Sequence, residues 1–247
     1  MVKDKILQCF KNMPEKIENF TEKFKFLAED LPNDVRKRTA SALVLIPIVL
    51  FFIYFSASLF TILVLAATII MTYEWSSLLQ KAKKEEISFW KIIGLIYILI
   101  PCASLIIIRG LEKGDDIILW LFMVIWATDT AGYFIGCTIG GPKIAPSISP
   151  KKSWSGLAGG VVASMFIGLI SSFMFKEGVI FFLSFSGVLA IIEQASDMLE
   201  SKIKRHFGVK DTGTLIPGHG GLLDRVDGFI LVAPIVLLFA LFSSSIF

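Results

Sequence analysis

A polar segment at residues 201–227 lies between two strongly apolar stretches of the chain. It concentrates basic side chains, carboxylates, one imidazole and glycine-bearing turns. Because phosphates need neutralising charge and hard divalent cations take oxygen ligands, this mixture suits a phosphate ligand together with a metal ion. We therefore predict that this segment is the active site. Its candidate residues are Ser201, Lys204, Arg205, Lys210, Asp211, His219, Gly220, Gly221, Asp224, Arg225 and Asp227.

A group of acids precedes this segment at the end of an apolar run. Their spacing of three and four residues places them on one face of a helix. Stacked carboxylates repel one another unless a cation lies among them, which favours metal coordination. Salt bridges to the basic residues at the end of the same helix are the alternative. The acids are Glu193, Asp197 and Glu200, and Ser201 shares their face.

Two further acids lie inside apolar runs, where a carboxylate is costly and usually faces a polar cavity. Asp129 is followed by Gly132, Gly136 and Gly140, a stripe without side chains that predicts close helix approach. Glu74 lies between Tyr73 and Trp75. A role in the site and a position at the membrane interface both remain open for Glu74.

The stretch SPKKSWSGLAGG at residues 149–160 places two lysines and a serine just before a glycine-rich helix. The backbone donors at the start of that helix, together with Lys151, Lys152 and Ser153, could hold phosphate groups. Lysines beside an apolar span more often anchor its orientation, so that interpretation also stays open.

The composition is that of an integral membrane protein. Hydrophobic residues make up 55% of the 247-residue chain, charged residues only 18%, and the mean hydropathy is +0.74. We predict an all-α bundle of about seven spans, with six or eight permitted by Pro101 and several glycines. The predicted spans are 39–55, 57–80, 90–108, 116–139, 156–175, 179–207 and 228–246.

We predict two regions, an N-terminal segment at 1–38 and a transmembrane catalytic domain at 39–247. Apolar residues in the first region recur at steps of three and four, which indicates an amphipathic helix. Such a helix could lie on the membrane surface, pack on a partner helix or form a homodimer contact. The three cysteines have no spacing typical of a disulfide framework or a zinc site.

The basic residues indicate how the bundle is oriented. With a cytoplasmic N-terminus, only Arg109, Lys113 and Lys176 of the 24 Lys and Arg residues would lie outside. Positively charged loops remain on the cytoplasmic side, so we expect the N-terminus and the active site there and the C-terminus outside.

The stretch from Ser201 to Asp227 resembles the signature of phosphatidate cytidylyltransferases, also called CDP-diacylglycerol synthases. The resemblance continues upstream through residues 196–201, 149–156 and 129–141. One departure is Ser155, where the family commonly has Glu. The matching elements are Ser201, Lys204-Arg205, Lys210-Asp211, Pro217, His219-Gly220-Gly221, Asp224-Arg225 and Asp227.

This resemblance implies an enzyme of the inner membrane that joins CTP to phosphatidic acid, giving CDP-diacylglycerol and pyrophosphate. It implies Asp197 and Asp224 as ligands of Mg²⁺, with one cation or two. Membrane lipids are the expected surroundings, and nucleic acid is not an expected partner. The residues that it places around the nucleotide and the lipid phosphate are Asp129, Lys151, Lys152, Ser153, Lys204, Arg205 and Lys210.

Two other functions fit parts of this pattern. A CTP-dependent polyprenol or phytol kinase would also need a membrane pocket for a nucleotide and a metal. A transporter would explain the acids inside the spans. However, the polar residues gather on one side of the membrane, and the sequence has no pair of broken helices of the kind found in inverted repeats.

Overall fold

The structure, a computed structural model, describes residues 47–176, 178–213 and 220–242. Contact density divides the chain into two compact units, and nearly all described residues belong to the second, Ile48–Phe247. The predicted amphipathic segment at 1–38 and the predicted site residue His219 lie outside the described residues. The first eight residues of the predicted span 39–55 also lie outside them, whereas residues 47–55 are helical.

Five helices of the described part are long and apolar enough to cross a membrane. A helix satisfies its own backbone hydrogen bonds, which is what an apolar run needs in a medium without water. These helices are α1 (Ala57–Leu79), α2 (Ile87–Arg109, preceded by the 3₁₀ turn Lys84–Glu86), α3 (Gly114–Thr138), α4 (Trp154–Phe175) and α5 (Val179–His206).

The remaining elements are short. Strands β1 (Lys143–Ala145) and β2 (Ser149–Ser153) form an antiparallel hairpin between α3 and α4. After α5 come the single turn α6 (Leu223–Val226) and the apolar helix α7 (Phe229–Phe242).

The predicted helical bundle is confirmed, and five of the predicted spans coincide with α1 to α5. Pro101 lies inside α2 without ending it. The all-α prediction missed the hairpin, because its strands are too short to carry a clear alternating pattern. The total of seven spans stays a prediction, since α7 is shorter than a full span and the ends of the chain are not described.

Helices α3 and α4 approach closely through glycine, as the stripe in α3 predicted. A Cβ added at Gly156 would lie 2.7 Å from the carbonyl oxygen of Gly132, and Gly136 also faces Gly156. Gly140 departs from the prediction. It lies beyond the end of α3 with φ of +67°, so it belongs to the turn rather than to the helix contact.

The interior of the bundle is apolar and its outer surface is apolar too. Trp120, Phe182 and Leu189 are fully buried where α3 and α5 meet. Large side chains such as Ile69 and Phe173 are exposed on the outside, as expected of helices that face lipid rather than water. The few polar side chains in the interior are therefore the residues that need a functional explanation.

Connectivity brings the site elements to one end of the bundle. Successive spanning helices alternate in direction, so the ends of α1, α3 and α5 share a side with the starts of α2 and α4. The contact of Trp90, near the start of α2, with Phe207, just after α5, agrees with this arrangement. The hairpin joins the same end because it follows α3 closely, and α6 joins it because the N–H of Leu223 donates to Glu74 near the end of α1.

Candidate active site

Three carboxylates converge at this end of the bundle. Asp197 and Glu200 lie one turn apart on α5, and Asp227 lies between α6 and α7. One oxygen from each lies within 4.8 Å of the others, an arrangement that could hold a metal ion. The Ser196 hydroxyl donates to the carbonyl oxygen of Asp227 and thereby ties that residue to α5. We call Asp197, Glu200 and Asp227 the carboxylate cluster.

Two lysines neutralise part of the cluster's charge. Lys152 Nζ lies 2.5 Å from Asp197 Oδ2. Lys204 Nζ lies 2.6 Å from Glu200 Oε2 and 2.8 Å from Asp224 Oδ1. It therefore joins the cluster to the loop at residues 220–226, which includes α6 and carries Asp224. The salt-bridge interpretation of the acids on α5 is thus correct for Glu200, while Asp197 meets a lysine from the hairpin instead.

The donor set of the cluster fits a hard divalent cation. Glu200 Oε1 is buried and has no hydrogen-bond partner among the described residues. A buried acceptor left unsatisfied is costly, so an unseen ligand at this position is expected. Oxygen ligands from carboxylates are those that Mg²⁺ takes, and such sites keep bound water and bind substrate phosphates as well.

Asp227 is held in an environment that disfavours its charge. Burial raises its pKa, and the neighbouring carboxylates of Asp197 and Asp129 raise it further, to about 8. A hydrogen bond from the backbone N–H of Gly228, at 2.9 Å, opposes this effect. A cation among the carboxylates would remove the electrostatic cause of the shift.

Asp224 is saturated by protein donors. Besides Lys204, it accepts hydrogen bonds from Thr212 N at 2.9 Å, Thr212 Oγ1 at 3.0 Å and Gly221 N at 2.8 Å. Burial alone would raise its pKa, but these donors outweigh burial and hold the pKa below its usual value. Gly220 has φ of +83°, and a Cβ there would lie 2.5 Å from Asp224 Oδ2. The loop therefore wraps around this carboxylate.

The predicted pairing of Asp197 with Asp224 as metal ligands stays a prediction. Asp224 reaches the cluster through Lys204, and its oxygens are engaged by that lysine and by the loop. The carboxylates that lie within ligand distance of one another are Asp197, Glu200 and Asp227. Sequence reasoning placed Asp227 in the site but did not assign it to the metal.

Glu74 holds the same loop from the other side. Its side chain on α1 is 4% exposed and accepts hydrogen bonds from Leu222 N at 2.7 Å and Leu223 N at 2.9 Å. Thr212 Oγ1 lies 3.4 Å from its Oε2. Of the two interpretations left open by the sequence, these contacts favour a role in the site, because Glu74 is buried against this segment. Its position inside an apolar run was the only signal in the sequence.

The hairpin positions Lys152 and Ser153 differently from Lys151. Burial increases towards the end of β2: Lys151 is exposed, Lys152 is half-buried and Ser153 is buried. Ser153 caps α4, because its hydroxyl accepts a hydrogen bond from Gly156 N at 3.2 Å. The Ser155 hydroxyl donates to the carbonyl oxygen of Gly140. Ser155 thus fastens the start of α4 to the turn that follows α3.

The other predicted site residues lie around the cluster or on the segments next to it. Ser201 Oγ lies 3.4 Å from Asp197 Oδ1. Asp129 is exposed and interacts electrostatically with Glu193, Asp197 and Lys152. Arg205 donates to the carbonyl oxygen of Val209 at 3.0 Å, which closes the end of α5. Lys210 and Asp211 are exposed on the loop after α5, and Arg225 is exposed on α6.

Residues 84–243 match the cytidylyltransferase family. The chain is 45% identical over 152 residues to the phosphatidate cytidylyltransferase of Brucella suis biovar 1 (strain 1330), covering 61% of this chain and 56% of that protein. The chain thus spans little more than half the length of this relative. Proteins of the same name from Rickettsia felis and Rickettsia bellii are 36% and 35% identical, covering 85% and 84% of this chain and 93% and 94% of the relatives.

Proposed function

The chain belongs to the cytidylyltransferase family, and on that premise we propose that it condenses CTP with phosphatidic acid to give CDP-diacylglycerol and pyrophosphate. The observation that carries the proposal is the carboxylate cluster with Lys152 and Lys204 against it. This combination of acids and bases, at one end of a bundle of apolar helices, suits a reaction between a water-soluble triphosphate and a lipid phosphate.

The proposed reaction requires little general acid–base catalysis. A phosphate oxygen of phosphatidic acid attacks the α-phosphorus of CTP, and the bond from that phosphorus to the bridging oxygen breaks as pyrophosphate leaves. The attacking phosphate is already ionised at neutral pH, so it needs no strong general base. The scarcity of histidine, with only two in the chain, agrees with this requirement.

The main obstacle is repulsion between two anionic substrates in a site of low dielectric constant. Lys152 and Lys204 supply fixed positive charge at two different members of the carboxylate cluster, Asp197 and Glu200. We assign Lys152 to the nucleotide phosphates, because the hairpin presents it beside the start of α4, whose backbone donors also favour anions. Positioning and preorganised charge would then provide most of the catalysis.

We propose that Mg²⁺ binds at the carboxylate cluster, with Asp197 as a central ligand. A bound cation would neutralise charge on the phosphates and stabilise the pyrophosphate as it departs. Asp224, predicted from the resemblance as the second ligand, would instead fix Lys204 and the loop.

We also propose that this end of the bundle faces the cytoplasm in the inner membrane. The basic residues support that orientation, because nearly all of them would then lie on the cytoplasmic side. CTP would enter from water past the hairpin, and the lipid would enter laterally between helices.

The test uses purified protein with CTP, phosphatidic acid and magnesium, and it measures pyrophosphate and liponucleotide together. The proposal predicts that the two products form in equal amounts and that labelled CMP enters the lipid. Release of CDP with a phosphorylated lipid alcohol would support a kinase instead. Substrate flux across proteoliposomes without CTP turnover would support a transporter.

A further inference from the structure

Tyr97 has a buried hydroxyl group that is unsatisfied within the described part of the chain. The residue lies in α2, is 7% exposed and packs its ring against Trp75, with the ring centroids 5.3 Å apart. Its hydroxyl oxygen has no hydrogen-bond partner among the described residues. Phenylalanine would fill the same space without leaving a polar atom unsatisfied, so the hydroxyl needs an explanation outside packing.

The helix geometry directs Tyr97 towards the carboxylate cluster. Trp90, near the start of α2, contacts His206 and Phe207 at the end of α5, with ring centroids 4.8 and 5.0 Å apart. With increasing distance from this contact into the bundle, residue numbers rise along α2 and fall along α5. Tyr97 follows Trp90 by about two helical turns, and Glu200 precedes Phe207 by about two turns, so both return to the facing sides of their helices.

Electrostatics and hydrogen bonding support this placement independently. The Tyr97 hydroxyl interacts with the charges of Glu200 and Asp227. Glu200 Oε1 is likewise buried and has no hydrogen-bond partner in the described part of the chain. The Tyr97 hydroxyl and Glu200 Oε1 are both unsatisfied and do not bond to each other, which indicates that a small polar ligand belongs between them.

We propose that the Tyr97 hydroxyl is part of the cation site and hydrogen-bonds to a water molecule of the cation bound at the carboxylate cluster. The identification of that cation as Mg²⁺ rests on the proposed function. Mg²⁺ retains several of its waters when it binds protein carboxylates, and those waters need acceptors. The Tyr97 hydroxyl provides one such acceptor, next to the ligand Glu200. Tyr97 is therefore a positioning residue for the cation.

The test compares Tyr97→Phe with the wild-type full-length chain, purified in detergent, using Mn²⁺ alone as the probe. Tyr73→Phe is the matched control, because Tyr73 is 73% exposed on α1 and outside the site. Loss of an outer-shell hydrogen bond typically weakens metal binding by 10- to 100-fold. We expect the Mn²⁺ dissociation constant to rise by about tenfold in Tyr97→Phe and to stay unchanged in Tyr73→Phe.

A second readout separates this role from a purely structural one. If the partner of the hydroxyl is water on the cation, Tyr97→Phe should unfold at or above the wild-type temperature without metal and lose only metal-dependent stabilisation. An unchanged Mn²⁺ affinity would overturn the inference. So would a drop in metal-free stability without a change in affinity, because the hydroxyl would then have a protein partner.

Liponucleotide synthesis by the wild-type protein is measured in parallel. A wild-type protein that binds Mn²⁺ but makes no CDP-diacylglycerol would refute the proposed function alone, and the comparison of Mn²⁺ affinities would still decide the role of Tyr97. A wild-type protein that binds no Mn²⁺ would overturn the inference about Tyr97.

Discussion

Replacing Glu74 with glutamine should detach the loop at residues 220–226, which carries Asp224, from α1 while leaving the bundle folded. The carboxylate accepts the backbone N–H groups of Leu222 and Leu223 with its two different oxygens. A glutamine offers one acceptor, and its NH₂ group would face the other N–H. One buried N–H group is therefore left without an acceptor.

The magnitude follows from these two hydrogen bonds. A hydrogen bond to a charged group contributes about 1.5–3 kcal/mol, and an unsatisfied buried donor costs about 1–3 kcal/mol. These terms overlap, because both concern the same N–H, so we expect the loop to be destabilised by about 3 kcal/mol. That corresponds to a factor of about 150 in the equilibrium between the attached and detached loop.

Two assays report on this change. Hydrogen exchange of peptides that cover residues 220–226 should become faster in Glu74→Gln, while peptides from α3 and α4 should exchange as in the wild type. Turnover of CTP with phosphatidic acid should fall by at least tenfold, because Asp224 lies in the released loop. Glu85→Gln is the matched control, since Glu85 is exposed on the 3₁₀ turn before α2. Wild-type exchange and turnover in Glu74→Gln would refute the assigned role.

Three further predictions concern the charged groups of the site. Asp224→Asn should abolish turnover while the protein remains folded in detergent, since asparagine cannot accept from all the donors around Asp224; near-normal activity would contradict this role. Lys152→Ala should raise the apparent KM for CTP more than the magnesium requirement, and an unchanged dependence on CTP would count against phosphate contact. Because the pKa of Asp227 is raised to about 8, a cation must displace its proton at neutral pH, so Mn²⁺ affinity should increase by up to about tenfold per pH unit below pH 8 and then level off. A pH-independent Mn²⁺ affinity would contradict the placement of Asp227 at the cation. Without metal, the same raised pKa means that the contribution of Asp227 to stability declines as the pH rises from its ordinary pKa to about 8. Thermal unfolding at pH 6 and pH 8.5 would detect this decline.

The helices could be predicted from the sequence because each is an uninterrupted apolar run. The predicted span 57–80 and helix α1, Ala57–Leu79, differ by a single residue. The hairpin could not be predicted in this way, because its two strands are short and contain Lys and Pro rather than alternating apolar residues. Short elements depend on their tertiary contacts, which the local pattern does not contain.

Within the site, the sequence located the residues that local spacing connects. Asp197 and Glu200 share a face of α5 because they are three residues apart. The contribution of Asp227 depends on how the chain returns after α6, and no spacing rule fixes that return. Glu74 is still more remote, since its partners Leu222 and Leu223 lie almost 150 residues later in the chain. Its burial and its hydrogen bonds became visible only in the folded structure.

The location of the bound cation tests the central claim most directly. An anomalous-scattering map of the protein soaked with Mn²⁺ should contain a peak among the oxygens of Asp197, Glu200 and Asp227, at about 2.0–2.3 Å from at least two of them. A peak between Asp197 and Asp224 that leaves Glu200 and Asp227 unbound, or no peak at this end of the bundle, would contradict the proposed site.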